Sequence, residues 1–240
     1  STTSGTVTIN GFTTAKVTLG SDTEINRTMM ATAINNISAQ TGVTATNTHD
    51  DKQGLVLTAA DGRNVTLTFD TTGGGTLDAA GTGLGAADTY VGTYELSTAD
   101  SSPITVSTTT SGSIQNSGLR PGTYVANKAQ TTSLLRDTAV TVAPTDGTST
   151  TGTLNGNTLV LNGVGIDASI GSDDASSNTF ATTSLKSASG IAIAAAINKK
   201  SAMTGVTAKA DANVIRGTGF TAGNVTALNI NGVDIAISLS

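Results

Sequence analysis

Ala33-Ile34-Asn35-Asn36-Ile37-Ser38-Ala39-Gln40-Thr41-Gly42-Val43-Thr44-Ala45 returns later in the chain as Ala196-Ile197-Asn198-Lys199-Lys200-Ser201-Ala202-Met203-Thr204-Gly205-Val206-Thr207-Ala208. The shared string is Ala-Ile-Asn, two free positions, Ser-Ala, one free position, then Thr-Gly-Val-Thr-Ala. Self-similarity of this kind marks a repeated supersecondary unit. A second element precedes each copy: Thr8-Ile9-Asn10-Gly11-Phe12 in the first and Val160-Leu161-Asn162-Gly163-Val164 in the second. It recurs as Asn229-Ile230-Asn231-Gly232-Val233, with no helix between it and Ser240. A repeat cut off midway is expected of a piece of a longer protein.

The residues of one unit dictate its local structure. Thr6-Val7-Thr8-Ile9 alternates with period two, as a half-buried strand does. Asn10-Gly11 follows, and both residue types accept the positive φ of a type I′ hairpin turn. Phe12 to Leu19 alternates again as the returning strand. A helix is expected from about Glu24 to Gln40, capped by Ser21 or Asp22. Met30, Ala33, Ile34 and Ile37 form its apolar stripe. Gly42 ends it in the left-handed C′ position, and Val43 begins the next strand. Leu55–Thr58 and Val65–Phe69 read as a hairpin around Asp61-Gly62. The fold class that follows is α+β and strand-rich, with two small twisted antiparallel sheets each packed by one helix.

The rest of the chain supplies connections. Residues 71–85 are Gly-rich and read as a flexible link. Tyr90–Leu96 and Ile104–Val106 read as strands, and Leu119–Tyr124 as a turn entering one. Pro144 to Thr153 reads as a domain boundary. The second unit starts near Leu154, carries an insertion at Asp173–Ser189, and ends in a helix over Gly190–Ala202. The expected domains are 1–145 and 146–224, with 225–240 completing the first. The second would then be inserted within the first.

Composition narrows the function classes. Of 240 residues only 12% are charged, against roughly a quarter in an average domain. Aromatic residues are 3% and Trp is missing, so the cores rest on Val, Ile, Leu and Ala. A long, slender shape with several small cores suits this better than one sphere. The aliphatic alternation separates the chain from disordered Ser/Thr-rich stalks. There is no Cys, which excludes disulfides, thiolate metal sites and Cys nucleophiles. No apolar run approaches the roughly 20 residues that span a bilayer, and no signal peptide is visible. The net charge of −5 leaves no electrostatic footprint for nucleic acid and disfavours anionic membranes.

The repeated strings resemble the flagellin hook IN motif, named for the Ile-Asn at its centre: Ile34-Asn35 and Ile197-Asn198 here. Leu57-Thr58-Ala59-Ala60-Asp61-Gly62-Arg63-Asn64 is also similar to a stretch common in proteobacterial flagellins. The resemblance covers about Thr6–Phe69 and Leu154–Ser240. It implies the variable outer domains of a bacterial flagellin, surface-exposed on the extracellular filament. Terminal helices that coil into the filament core are absent here and would supply the contacts to other subunits. The family is exported unfolded through the flagellar channel, which fits the missing signal peptide and Cys. Family habit implies O-linked glycans on Thr148–Thr153 and Ser107–Ser113. The filament cap protein and an adhesin-type carbohydrate- or host-binding module are the alternatives.

Sharper chemistry finds little footing. His49 is the only histidine, in Thr48-His49-Asp50-Asp51, where a zinc protease helix needs two; it reads as a solvated hairpin tip. Asp61-Gly62-Arg63-Asn64 reads as a turn rather than a ligand loop. Asp167, Asp173 and Asp174 lack the twelve-residue calcium loop ending in Glu. Gly73-Gly74-Gly75 lacks the Lys-Ser/Thr of a phosphate loop. Tyr90, Tyr94 and Tyr124 are the only tyrosines that could stack on a sugar. No acid–base–nucleophile set exists, so no enzyme activity, cofactor or metal is expected. The residues singled out are the structural motif itself: Asn10, Gly11, Ile34, Asn35, Gly42, Asn162, Gly163, Ile197, Asn198, Gly205, Asn231 and Gly232. The Asn of each Ile-Asn pair is expected to bond the backbone of the adjacent hairpin, since buried polar groups need partners.

Overall fold

Asp22 opens the first helix, its Oδ1 accepting the Ile25 N–H at 3.0 Å as an N-cap does. From such local signals the chain builds a strand-rich α+β fold of several small sheets, made largely of antiparallel strand pairs. The computed structural model describes residues 3–70, 77–109, 114–125, 128–130, 153–179, 184–217, 227–230 and 233–236. The expected boundary at 144–152 and the Asn231-Gly232 turn lie outside them, as do Gly73–Gly75 and most of the expected glycan stretches.

Contacts divide the chain into two units. The first comprises Ser1–Thr58, Leu67–Asp88 and Val214–Ser240; the second comprises Ala59–Thr66 and Thr89–Asn213. The chain therefore leaves the first unit and returns to it. The expected limits 1–145 and 146–224 differ from this division, because residues from Thr89 onward join the second unit.

The first unit opens with β1 (Thr3–Gly5), β2 (Val7–Ile9), β3 (Phe12–Thr13) and β4 (Val17–Leu19). Phe12–Leu19 is thus two strands rather than one: β3 pairs with β2, and β4 pairs with β1. Thr14 makes the break, its hydroxyl accepting from Val7 N at 3.1 Å. Next come α1 (Thr23–Asn35), α2 (Ser38–Thr41), β5 (Thr44–Asn47), β6 (Leu55–Ala59) and β7 (Val65–Phe69). The helix expected over 24–40 breaks at Asn36–Ile37, where Ile37 takes φ −108°, ψ 9°. Val7, Ile9, Met30, Ile34, Val43, Leu55, Leu57 and Leu67 are fully buried. Each such aliphatic side chain contributes about 1.5–3 kcal/mol when taken from water.

Residues 77–85 are not a plain link. They hold α3 (Ala79–Thr82), capped by Asp78 and by left-handed Gly83. Leu77 and Leu84 on either side are buried, and that burial orders a stretch whose composition reads as loop. β8 (Asp88–Tyr90) then carries the chain to the second unit.

There the elements are β9 (Tyr94–Thr98), β10 (Ile104–Thr108), β11 (Gly122–Tyr124), β12 (Lys128–Gln130), β13 (Leu159–Leu161), β14 (Val164–Gly165), α4 (Gly190–Asn198), α5 (Ser201–Thr204) and β15 (Val206–Ala210). The strand expected over 90–96 is interrupted at Val91–Thr93. The helix expected over 190–202 breaks at Lys199–Lys200. Tyr94, Leu96, Ile104, Leu159, Leu161, Ile193, Ile197 and Val206 share one core. Back in the first unit, β16 (Asn213–Arg216) lies beside β6, and β17 (Ala227–Ile230) pairs with β18 (Val233–Ala236).

The two units share one plan in permuted order. In the first, the Asn-Gly hairpin β2–β3 and its helices precede β5, β6 and β7. The hairpin expected of Leu55–Thr58 and Val65–Phe69 does not form, because β6 pairs with β5 in one sheet while β7 pairs with β2 in another. In the second, the equivalent strands β9 and β10, likewise in different sheets, come before the hairpin β13–β14, the helices and β15. The registers match: Ala45 opposes Leu57 as Ala208 opposes Leu96. Ile9 opposes Leu67 as Leu161 opposes Val106. The turns match as well. Gly62 and Ser101 have φ 77° and 65°. Asp61 and Asp100 accept the N–H two residues on at 3.2 and 3.0 Å.

Candidate functional site

The repeated motif residues converge on two small clusters, one per unit. In each, the Asn-Gly hairpin turn has left-handed backbone at both positions: Asn10 φ 51° and Gly11 φ 84°, Asn162 φ 47° and Gly163 φ 82°. That geometry frees the Asn side chain to reach across the unit. Asn10 Nδ2 donates to Thr41 O at 2.9 Å, and Asn162 Nδ2 donates to Thr204 O at 2.8 Å. The last carbonyls of a helix lack intrahelical partners, so each hairpin supplies the missing donor. Gly42 (φ 68°) and Gly205 (φ 67°) follow in the left-handed conformation, and their N–H groups donate to Ser38 O and Ser201 O, both at 2.8 Å.

The Ile-Asn pair divides its work between core and edge. Ile34 and Ile197 are fully buried. Asn35 Oδ1 accepts from Ala45 N at 2.8 Å while its Nδ2 donates to Ala45 O at 2.9 Å. Asn198 does the same to Ala208, both bonds at 2.9 Å. Among the described residues β5 and β15 are edge strands, in sheets ordered β16-β6-β5 and β12-β9-β15. Each amide therefore stands where the backbone of a further strand would pair. The partner of Asn35 or Asn198 is the strand after the helix and not the Asn-Gly hairpin: there one N–H and one C=O of a single residue face the amide together.

Sequence reasoning missed a charged latch in the first unit. The Arg27 side chain is 3% exposed. Its Nε donates to Asn47 Oδ1 at 3.1 Å, one Nη donates to Asp51, and the other donates to Glu24 Oε2 at 2.5 Å. The bond from Arg27 holds the Glu24 carboxyl below its ordinary pKa. Bonds from Arg27 and Thr23 do the same for Asp51. Burial works to lower the Arg27 value, but the bonds to Asp51 and Glu24 outweigh it and raise it. His49 sits at φ 57° in the loop between β5 and β6, 73% exposed, with Nδ1 2.7 Å from Glu24 Oε1. The only sequence signal was Glu24 three residues before Arg27. The matching repeat position in the second unit is Gly190, so the latch has no counterpart there.

The remaining candidates are occupied by structural partners. Lys200 pairs with Asp167 at 3.0 Å and Lys199 with Asp173 at 2.6 Å. Asp174 Oδ1 accepts from Ser176 N and Ser177 N at 2.9 and 2.8 Å. Arg63 forks onto Asp61 across the turn. Tyr94 is fully buried and donates to Ser117 O at 2.7 Å, so it presents no ring to a sugar. Among the described residues, no group of three or more His, Asp or Glu could hold a metal ion, and no helix is long and apolar enough to cross a membrane. Comparison with protein-family models, with curated proteins and with solved structures finds no match.

Proposed function

We propose that this chain is a surface-exposed outer part of a bacterial flagellin, a structural component of the extracellular filament without catalysis, cofactor or metal. The observation that carries the reading is Ile34-Asn35 recurring as Ile197-Asn198 within the string that resembles the flagellin hook IN motif. Each pair makes the same clamp on a following edge strand. The mechanism is geometric. Small sheets project from a polymer whose copies stand side by side, and an open edge strand on each copy would template pairing with its neighbours. An amide on that edge removes the template. The subunit contacts themselves belong to core helices outside this sequence, and exposed Thr108 and Thr109, within the Ser107–Ser113 stretch, are offered as glycan acceptors.

Antibodies raised against this chain, applied to native filaments of cells that make it, test the reading. Decoration along the whole filament is expected in electron micrographs. Decoration of the tip alone assigns the chain to the cap instead, and bare filaments overturn the proposal. The intact mass of native subunits, set against the bare polypeptide mass, tests the glycans.

A further inference from the structure

Four Asn-Gly pairs occur in the chain, at Asn10-Gly11, Asn155-Gly156, Asn162-Gly163 and Asn231-Gly232; the last lies outside the described residues. Such pairs are chemically fragile, because a Gly nitrogen meets little steric hindrance in attacking the preceding Asn Cγ. Two of the four are restrained. Asn10 is 3% exposed and donates to Thr41 O. Asn162 is held at both amide atoms: Oδ1 accepts from Thr105 N at 2.8 Å and Nδ2 donates to Thr204 O at 2.8 Å.

Asn155-Gly156 is different. Both residues are exposed, and the Asn155 amide and the Gly156 N–H make no hydrogen bond among the described residues. The turn around them is pinned on both sides. Leu154 N donates to Ser169 Oγ at 3.0 Å, Asn157 N to Ile166 O at 2.7 Å, and Thr158 N to Asn155 O at 3.2 Å. The amide is thus free to turn onto Gly156 N while the backbone stays in place.

We infer that Asn155 is a site of spontaneous deamidation and isoaspartate formation, and that the hydrogen bonds of Asn10 and Asn162 spare those two. Gly156 N gives its proton to solvent base and bonds to Asn155 Cγ. The Cγ–Nδ2 bond breaks and ammonia leaves with a proton from solvent, closing a succinimide. Water then opens the ring at either carbonyl, yielding aspartate or isoaspartate. No electrons are exchanged, and the chain gains one negative charge. The isoaspartate route also places an extra backbone carbon beside buried Leu154 and Thr158, which works against the Thr158–Asn155 bond.

The test incubates the folded full chain at mildly basic pH and maps it by peptide mass spectrometry, with an isoaspartyl methyltransferase as detector. Conversion at Asn155 is expected to be about tenfold or more faster than at Asn10 and Asn162, whose hydrogen bonds must first break. In denaturant the three rates should converge. Comparable rates in the folded chain overturn the inference. Gly156→Ala supplies a second arm: its methyl meets only Ala168 N, at an ordinary 3.5 Å, so the fold is kept while the attacking nitrogen is hindered. An unchanged rate at Asn155 in that variant overturns the proposed attack.

Discussion

Gly92 lies so close to Gly62 that a methyl group on it would stand 2.0 Å from the Gly62 carbonyl oxygen. The same stack continues at the start of α4, where a methyl on Gly190 would stand 2.7 Å from Gly92 O. Both obstacles are backbone, which cannot swing aside. Gly92→Ala is therefore expected to destabilise the second unit by about 3 kcal/mol, the upper range for overpacking. Gly20→Ala is the control: its methyl meets nothing within 4 Å and should leave urea unfolding near wild type. Equal midpoints for the two variants would refute the close stack.

Asn35→Asp keeps the acceptor for Ala45 N but loses the donor to Ala45 O. A carboxylate then faces a carbonyl at the sheet edge. The expected loss is about 1–3 kcal/mol, the cost of an unsatisfied polar group. Because the edge of β5 is opened, sedimentation should also show more self-association for Asn35→Ala than for wild type. A monomer as stable as wild type would remove the edge-capping role.

Gly205→Ala isolates backbone strain, since its methyl would meet nothing within 4 Å while φ stays at 67°. The expected cost is about 1–2 kcal/mol, that of left-handed backbone for an L-residue. Gly205→Asn should cost less, as Asn tolerates this conformation, and Gly42→Val should cost more. Thermal or urea unfolding ranks the three.

Acid should loosen the Arg27 latch. Glu24 and Asp51 both have folded-state values below their ordinary 4.5 and 3.8. Their contribution is therefore present above those values and lost as pH falls through the lower folded-state ones. Glu24→Gln with Asp51→Asn should be less stable than wild type at neutral pH and lose less stability on acidification. Parallel acid limbs for the two proteins would show that the latch does not couple to folding.

Tyr94 acts at the alkaline end. Burial raises its phenol above the usual 10.0, opposed by the bond to Ser117 O. The unfolded chain ionises first, so stability is full below about pH 10 and falls above it. Tyr94→Phe should remove that fall and cost about 1–3 kcal/mol at neutral pH by leaving Ser117 O unpaired. Identical alkaline limbs would overturn the assignment.

What the sequence alone determined is local. The Asp22 cap, the Asn10-Gly11 and Asn162-Gly163 turns, left-handed Gly42 and Gly205, and the stripe through Met30 and Ile34 each depend on residues within a turn or two. Their chemistry admits few backbone conformations. The helix breaks at Ile37 and Lys200 were not legible, because Ile and Lys carry no breaking signal. Tertiary structure decided what pairs with what. Tyr94–Thr98 reads as a strand in any context, but nothing in its alternation names Val206–Ala210 as its partner about 110 residues away. Backbone hydrogen bonds are the same for every residue, and a period-two pattern fixes the buried face without fixing the neighbour. The cost of closing a longer loop also rises only slowly with its length. Two strands placed before or after the helix can thus complete the same core. That is why the second unit is permuted, why Gly92 must be glycine, and why Arg27 finds Asp51.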